Sequence, residues 1–326
     1  LIHGDEKPGG ELRRYWKFFW KDLSALPPLG MLDYQPKIGA MRLFAQGDFT
    51  GEHLERLPAI KTRRRLEDLG YCAYCGQSDD SVGNEIALSS EHIIPEFLGS
   101  GLELPASSCA ACQKATSAVE YTIAREMFGP VRKSFGLRGK DGVLPNVNFP
   151  LDVGSYTSEE LFMPIAHYPT VLVLPALFPA STYSRRGPDS ADPFNFLLYN
   201  INADRNLLAR YAIDGVSTQS VDLVRFAQMI AKVAHSYATH YWRAAPFTQT
   251  VSSLIRTIYP PQQPAIGHLA HVGCLLGMPE TPTSALHEIE AGQMRWGRIR
   301  RRAVRVRLFA SYGMPSYYVT VSEPED

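Results

Sequence analysis

The sequence predicts an α+β protein built around a small metal-stapled module. Three observations predict it. Two cysteine pairs, Cys72-Ala-Tyr-Cys75 and Cys109-Ala-Ala-Cys112, have the spacing of metal-binding knuckles. Phe226, Ile230, Val233, Tyr237 and Tyr241 line one face of a helix over residues 221–242. Short β-like runs, Thr170-Val-Leu-Val-Leu and Phe194-Asn-Phe-Leu-Leu-Tyr, follow the module.

The cysteines carry the most information. The chain has five, and only Cys274 stands outside the pairs. Nothing at the N-terminus has the basic-then-apolar form of a secretory signal, so the pairs point to metal before disulfide, and the expected location is the cytoplasm. Four thiolates on one ion complete a closed tetrahedral Zn²⁺ site with a structural role. Cys274 lies in apolar surroundings and is expected to be a buried thiol.

The order of elements is expected to be a helical segment over residues 1–69, the module over 70–140, and an α+β domain over 141–326. Leu12, Trp16, Phe19 and Leu23 have helical spacing before Pro27-Pro28, and residues 52–69 read as a second helix ending in Arg63, Arg64 and Arg65. Gly142, Pro145 and Pro150 mark a linker. Near the C-terminus Val304, Val306 and Leu308 alternate with arginines, and Gly313-Met-Pro turns the chain into Tyr317–Val321, a hairpin. No apolar run is long enough to cross a membrane as a helix.

Between the knuckles lies Ser90-Glu91-His92-Ile-Ile-Pro95, and Gln113 directly follows the last cysteine. A purely structural zinc ribbon has no use for an acid–histidine pair. The order Cys-x-x-Cys, acid-His-Ile-Ile-Pro, Leu98-Gly99, Cys-x-x-Cys resembles the HNH endonucleases, and most closely their bacterial branch with a zinc-stapled ββα-metal fold. The resemblance covers roughly residues 70–140, including Phe128-Gly-Pro-Val-Arg-Lys, and weaker likeness extends to Phe226–Lys232 and Leu308–Tyr317.

The resemblance implies the following roles. His92 is the general base that takes a proton from the attacking water. Glu91 and Gln113 hold a catalytic Mg²⁺ or Mn²⁺. The substrate is DNA. Two departures stand out: the family usually has Asp at the position of Glu91, and Asn or His at that of Gln113. Glu120, seven residues after Gln113 on the same helix face, is too far along the axis to share one small ion.

A nuclease must also grip a polyanion. Arg132, Lys133, Arg138 and Lys140 follow the module's helix, and residues 295–307 hold seven arginines, among them Arg300, Arg301 and Arg302. Arginine suits phosphate through paired N–H contacts. The formal net charge of the whole chain is zero, so any such grip is local. The alternative from another class is a degenerate HNH-fold protein that binds nucleic acid or a partner without cutting.

Overall fold

Hydrophobic alternation near the C-terminus builds the main sheet. Strands β6 (His287–Trp296) and β7 (Ile299–Arg307) form an antiparallel hairpin closed at Gly297, and β8 (Ser316–Thr320) pairs antiparallel with β7. The two-residue β5 (Val272–Gly273) lies on the far side of β8, and β1 (Gly47–Leu57) on the far side of β6, giving the order β5-β8-β7-β6-β1. A bulge between Ala291 and Gly292 lets β1 stay in register, and a Cβ at Gly292 would sit 2.2 Å from the Thr50 carbonyl. The computed structural model describes residues 13–14, 17–19, 47–58, 63–78, 87–99, 101–135, 137, 146–153, 157–184, 195–201, 205–213, 215–217, 221–243, 249–257, 270–275 and 280–323.

The chain divides into two compact units. Residues 35–121, 175–195 and 223–326 form one, which holds the main sheet; residues 1–34, 122–174 and 196–222 form the other. The first unit has a second, three-stranded sheet. In it β3 (Ser89–His92) runs antiparallel to β4 (Gly101–Ser108), and β2 (Arg63–Arg65) runs parallel to β4 on its other edge. Helix α1 (Ala110–Glu126) follows β4, so the local order is strand, strand, helix.

Helix α2 (Leu223–Trp242) is the spine of this unit. It is buried on every face from Leu223 to Thr239, apart from Arg225. One side packs on the main sheet, where Phe226 meets Tyr317 edge-to-face at 5.0 Å. A second carries Gln228, whose amide donates to the Leu254 and Thr257 carbonyls at 3.1 and 3.0 Å, satisfying the C-terminal end of α3 (Gln249–Arg256). A third carries Lys232, His235 and Ser236, which face the cysteine-bearing segment.

The strands of the other unit are short pairs: Asn146–Val153 with Thr157–Pro164, most of Thr170–Ala176 with most of Asn195–Ile201, and two small pairings of the N-terminal residues. The expected strands at 170–174 and 194–199 are present, as are the helix over 221–242 and the terminal hairpin. Two expected helices are not. Arg13–Arg14 and Lys17–Phe19 are strands, in a stretch dense in aromatic residues that suit extended backbone. Residues 47–57 and 63–65 are strands too, because pairing with β6 and β4 overrides a local helical pattern. Within these strands, Arg64 ion-pairs with Glu55, and Arg65 lies 3.8 Å from Glu103. No described helix is long and apolar enough to cross a membrane.

Buried His287 gives the fold a pH dependence. Its Nε2–H donates to the Leu98 carbonyl at 3.1 Å, and its Nδ1 accepts the Phe309 N–H at 3.1 Å, so the neutral ring is fully satisfied. Burial pushes its pKa down to about 4. The folded value is below the unfolded one, so the stability is intact above about pH 6.5 and is lost as pH falls towards 4. The loss is on the order of 3 kcal/mol. Urea denaturation of the wild type between pH 7 and 4.5 is expected to show this fall. His287→Gln, which can donate and accept but does not titrate, should show a smaller one.

Candidate metal centre and its neighbouring histidine

The first knuckle is a tight hairpin. Tyr71 and Ser78 form a bridge, the Cys72 N–H donates to the Gln77 carbonyl at 2.7 Å, and the Gly76 N–H donates to the Cys72 carbonyl at 2.8 Å. Gly76 has φ +74°, where a side chain would be strained. The second knuckle is the start of α1: Cys109 precedes the helix, Cys112 lies in its first turn, and the Gln113 N–H donates to the Cys109 carbonyl at 2.9 Å. A helix N-terminus favours thiolate there. The Ala73 N–H donates to the Ser107 carbonyl at 2.8 Å, tying the first knuckle to the end of β4 beside the second.

The four sulfurs all lie within 4.8 Å of one another, with Cys75 and Cys109 at 3.8 Å. Four sulfurs placed tetrahedrally at about 2.3 Å from one ion stand about 3.8 Å apart, so the cluster has the dimensions of a zinc site. The neighbouring Cys112 thiol lowers the pKa of Cys72, and burial raises that of Cys75. Cys72, Cys75, Cys109 and Cys112 could therefore hold a structural metal such as zinc, with three of the four buried. Cys274 is elsewhere and fully buried, and burial raises its thiol to about 12.

Helix α2 is fastened directly to this centre. His235 donates from Nε2 to the Ala73 carbonyl at 2.8 Å, between the two cysteines of the first knuckle. The Tyr74 hydroxyl and the Ser236 hydroxyl are 2.8 Å apart, both buried.

Strand alternation separates Glu91 from His92. Glu91 points inward and is 4% exposed. Its carboxylate is ion-paired with Lys232 of α2. Lys232 also pairs with Glu120 of α1 at 2.7 Å and donates to the main-chain carbonyl of His92. Burial by itself would lower the lysine's pKa, but Glu120 and Glu91 outweigh it and raise the value, so the ammonium is charged. His92 points the other way. Its side chain is 32% exposed, its Nε2 is 3.9 Å from a Glu96 carboxylate oxygen, and its Nδ1 is shut from solvent with no hydrogen-bond partner among the described residues.

Gln113 is exposed in the first turn of α1, and no hydrogen bond among the described residues joins its side chain to Glu91 or His92. The catalytic Mg²⁺ or Mn²⁺ implied by the family resemblance therefore does not fit these side chains as they stand. Glu91 already faces a cation from within the chain.

The basic residues fall into three groups. Arg300 is exposed, Arg301 donates to the Ser322 carbonyl at 3.0 Å, and Arg302 lies over the Trp242 ring at 5.6 Å. Strand alternation puts Arg300 and Arg302 on one face of β7 and Arg301 on the other. Arg305 and Arg307 lie on the Arg301 face and are tied to acids: Arg305 bonds Glu290 at 2.8 Å, and Arg307 lies 3.6 Å from Glu280. In the other unit, Lys133 lies over the Tyr168 ring at 5.1 Å and Arg132 is half-buried. Arg138 and Lys140 lie outside the described residues.

Sequence reasoning reached the four cysteines but missed Lys232, His235 and Ser236. A signal was present: Gln228, Lys232, His235 and Thr239 form a polar stripe at steps of four, three and four along an otherwise apolar helix. No acid stands three or four residues from Lys232 to pair with it locally, so its partners had to come from elsewhere in the chain. Comparison with models of known families, with curated proteins and with solved structures gave no match.

Proposed function

We propose that this chain is an HNH-type endonuclease that hydrolyses phosphodiester bonds in DNA, with His92 as its general base. One observation carries the reading. A strand–strand–helix segment stapled by four cysteines holds a half-exposed histidine at the end of its first strand. Of the two ring nitrogens, Nδ1 is shut from solvent, which leaves Nε2 for an attacking water. Nε2 is then the atom that takes the proton, and the Glu96 carboxylate 3.9 Å away steadies the imidazolium that forms. The resemblance adds a Mg²⁺ or Mn²⁺ requirement, for which the side chains give no ready site.

The second reading is a zinc-stapled module that binds nucleic acid without cutting it. The Lys232–Glu91 pair favours it, because it engages the acid that the family uses for metal. A plasmid-nicking assay separates the two. The full chain, zinc-loaded, is incubated with supercoiled DNA in Mg²⁺, in Mn²⁺ and in EDTA. The nuclease reading expects nicked or linear product; intact plasmid that is nonetheless retarded on a gel supports the second reading.

Both readings need a basic surface. Replacing Arg300, Arg301 and Arg302 together by Ala is expected to weaken DNA binding and to reduce the slope of log K against log salt. The slope should fall by roughly 0.9 for each phosphate that is no longer neutralised. Unchanged affinity and slope, measured by fluorescence anisotropy at several salt concentrations, would remove this strand from the interface.

A further inference from the structure

We propose that Lys232 is the resident cation of the pocket formed by Glu91, Glu120 and the His92 carbonyl, and that it competes with divalent metal ions for that pocket. Three oxygens from two elements converge on its ammonium: a Glu91 carboxylate and the main-chain carbonyl of its neighbour His92 from β3, and a Glu120 carboxylate from α1 at 2.7 Å. Carboxylate and carbonyl oxygens are the donors that hard divalent cations choose. Here they enclose an ammonium, and the lysine side chain is 2% exposed.

The ammonium is delivered to a fixed place. Lys232 lies on α2 within about one turn of His235 and Ser236, and those two are locked to Ala73 and Tyr74 of the first knuckle. Its stem is packed in the core. A divalent ion entering the same oxygens would meet a like charge at contact distance in a poorly screened interior. Lysine and metal therefore exclude one another. Two carboxylates face a single ammonium, so the pocket without the lysine has the charge to hold a divalent ion.

This does not depend on the nuclease reading, and its test needs no substrate. The full chain, loaded with zinc and freed of excess metal, is titrated with Mn²⁺, and free Mn²⁺ is counted by its electron paramagnetic resonance signal. Wild type is expected to bind Mn²⁺ weakly or not at all. Lys232→Ala is expected to bind one ion at least ~100-fold more tightly, and adding Glu91→Gln to that variant should abolish the gain. If Lys232→Ala does not fold without divalent metal, circular dichroism on Mn²⁺ addition takes over as the readout. Refolding that requires Glu91 supports the proposal, and failure to refold at any Mn²⁺ concentration overturns it. Equal Mn²⁺ affinity in wild type and Lys232→Ala, including none in either, also overturns it. A nicking assay that stays silent would sink the nuclease reading and leave this result standing.

Discussion

Cys72→Ser is expected to unfold the cysteine-stapled segment, not merely to loosen a metal. Cys72 is fully buried at the start of a hairpin whose local support is two backbone hydrogen bonds and a bridge. A hairpin of that size buries little apolar surface by itself. A structural zinc supplies roughly 10–16 kcal/mol to such a fold. Most of that is lost when one thiolate is replaced by a hydroxyl that binds zinc poorly. The damage should spread along α2, since His235 and Ser236 hold the Ala73–Tyr74 stretch in place. Limited proteolysis should open cleavage sites around residues 66–110, and a strong zinc chelator should reproduce the pattern in the wild type. Cys274→Ala is the contrast: a buried thiol outside the cluster, expected to cost only about 1 kcal/mol and no zinc.

His92→Ala is expected to lower DNA cleavage by roughly 10²–10⁴-fold, the usual contribution of a positioned general base. Zinc content and thermal stability should stay close to wild type. The ring projects to the exposed side of β3, and the Lys232 ammonium holds the main-chain carbonyl of His92, which alanine keeps. Glu91→Ala should behave differently. It leaves Lys232 with Glu120 alone in a buried setting, where breaking an ion pair costs about 3–5 kcal/mol. A loss of activity in Glu91→Ala therefore reports folding as much as chemistry, and only His92→Ala isolates the base. Equal cleavage by His92→Ala and wild type would remove His92 from the mechanism.

What could be read in the sequence was what is encoded locally. The two knuckles are set by four-residue spacing, the helix over 221–242 by its apolar stripe, and the terminal hairpin by alternation around Gly313. Long-range pairing was hidden. Residues 52–69 have the pattern of a helix, yet 52–57 belong to a strand because β6, more than two hundred residues on, offers an open edge, and 63–65 pair with β4. The aromatic run around residues 15–20 has a helical period, but its composition favours extended backbone. The pocket around Glu91 was hidden for a related reason. Glu91 and Glu120 are legible as acids, but the lysine that faces them arrives from α2, and its partners are visible only once β3, α1 and α2 are packed together.

The zinc proposed for the four-cysteine cluster underlies everything else proposed for the module, and X-ray absorption at the zinc edge of the freshly purified full chain tests it most directly. The expected result is one zinc per chain with a shell of four sulfurs at about 2.3 Å. A chain that carries no zinc, a shell containing nitrogen or oxygen in place of sulfur, or a disulfide between any two of Cys72, Cys75, Cys109 and Cys112 would contradict it.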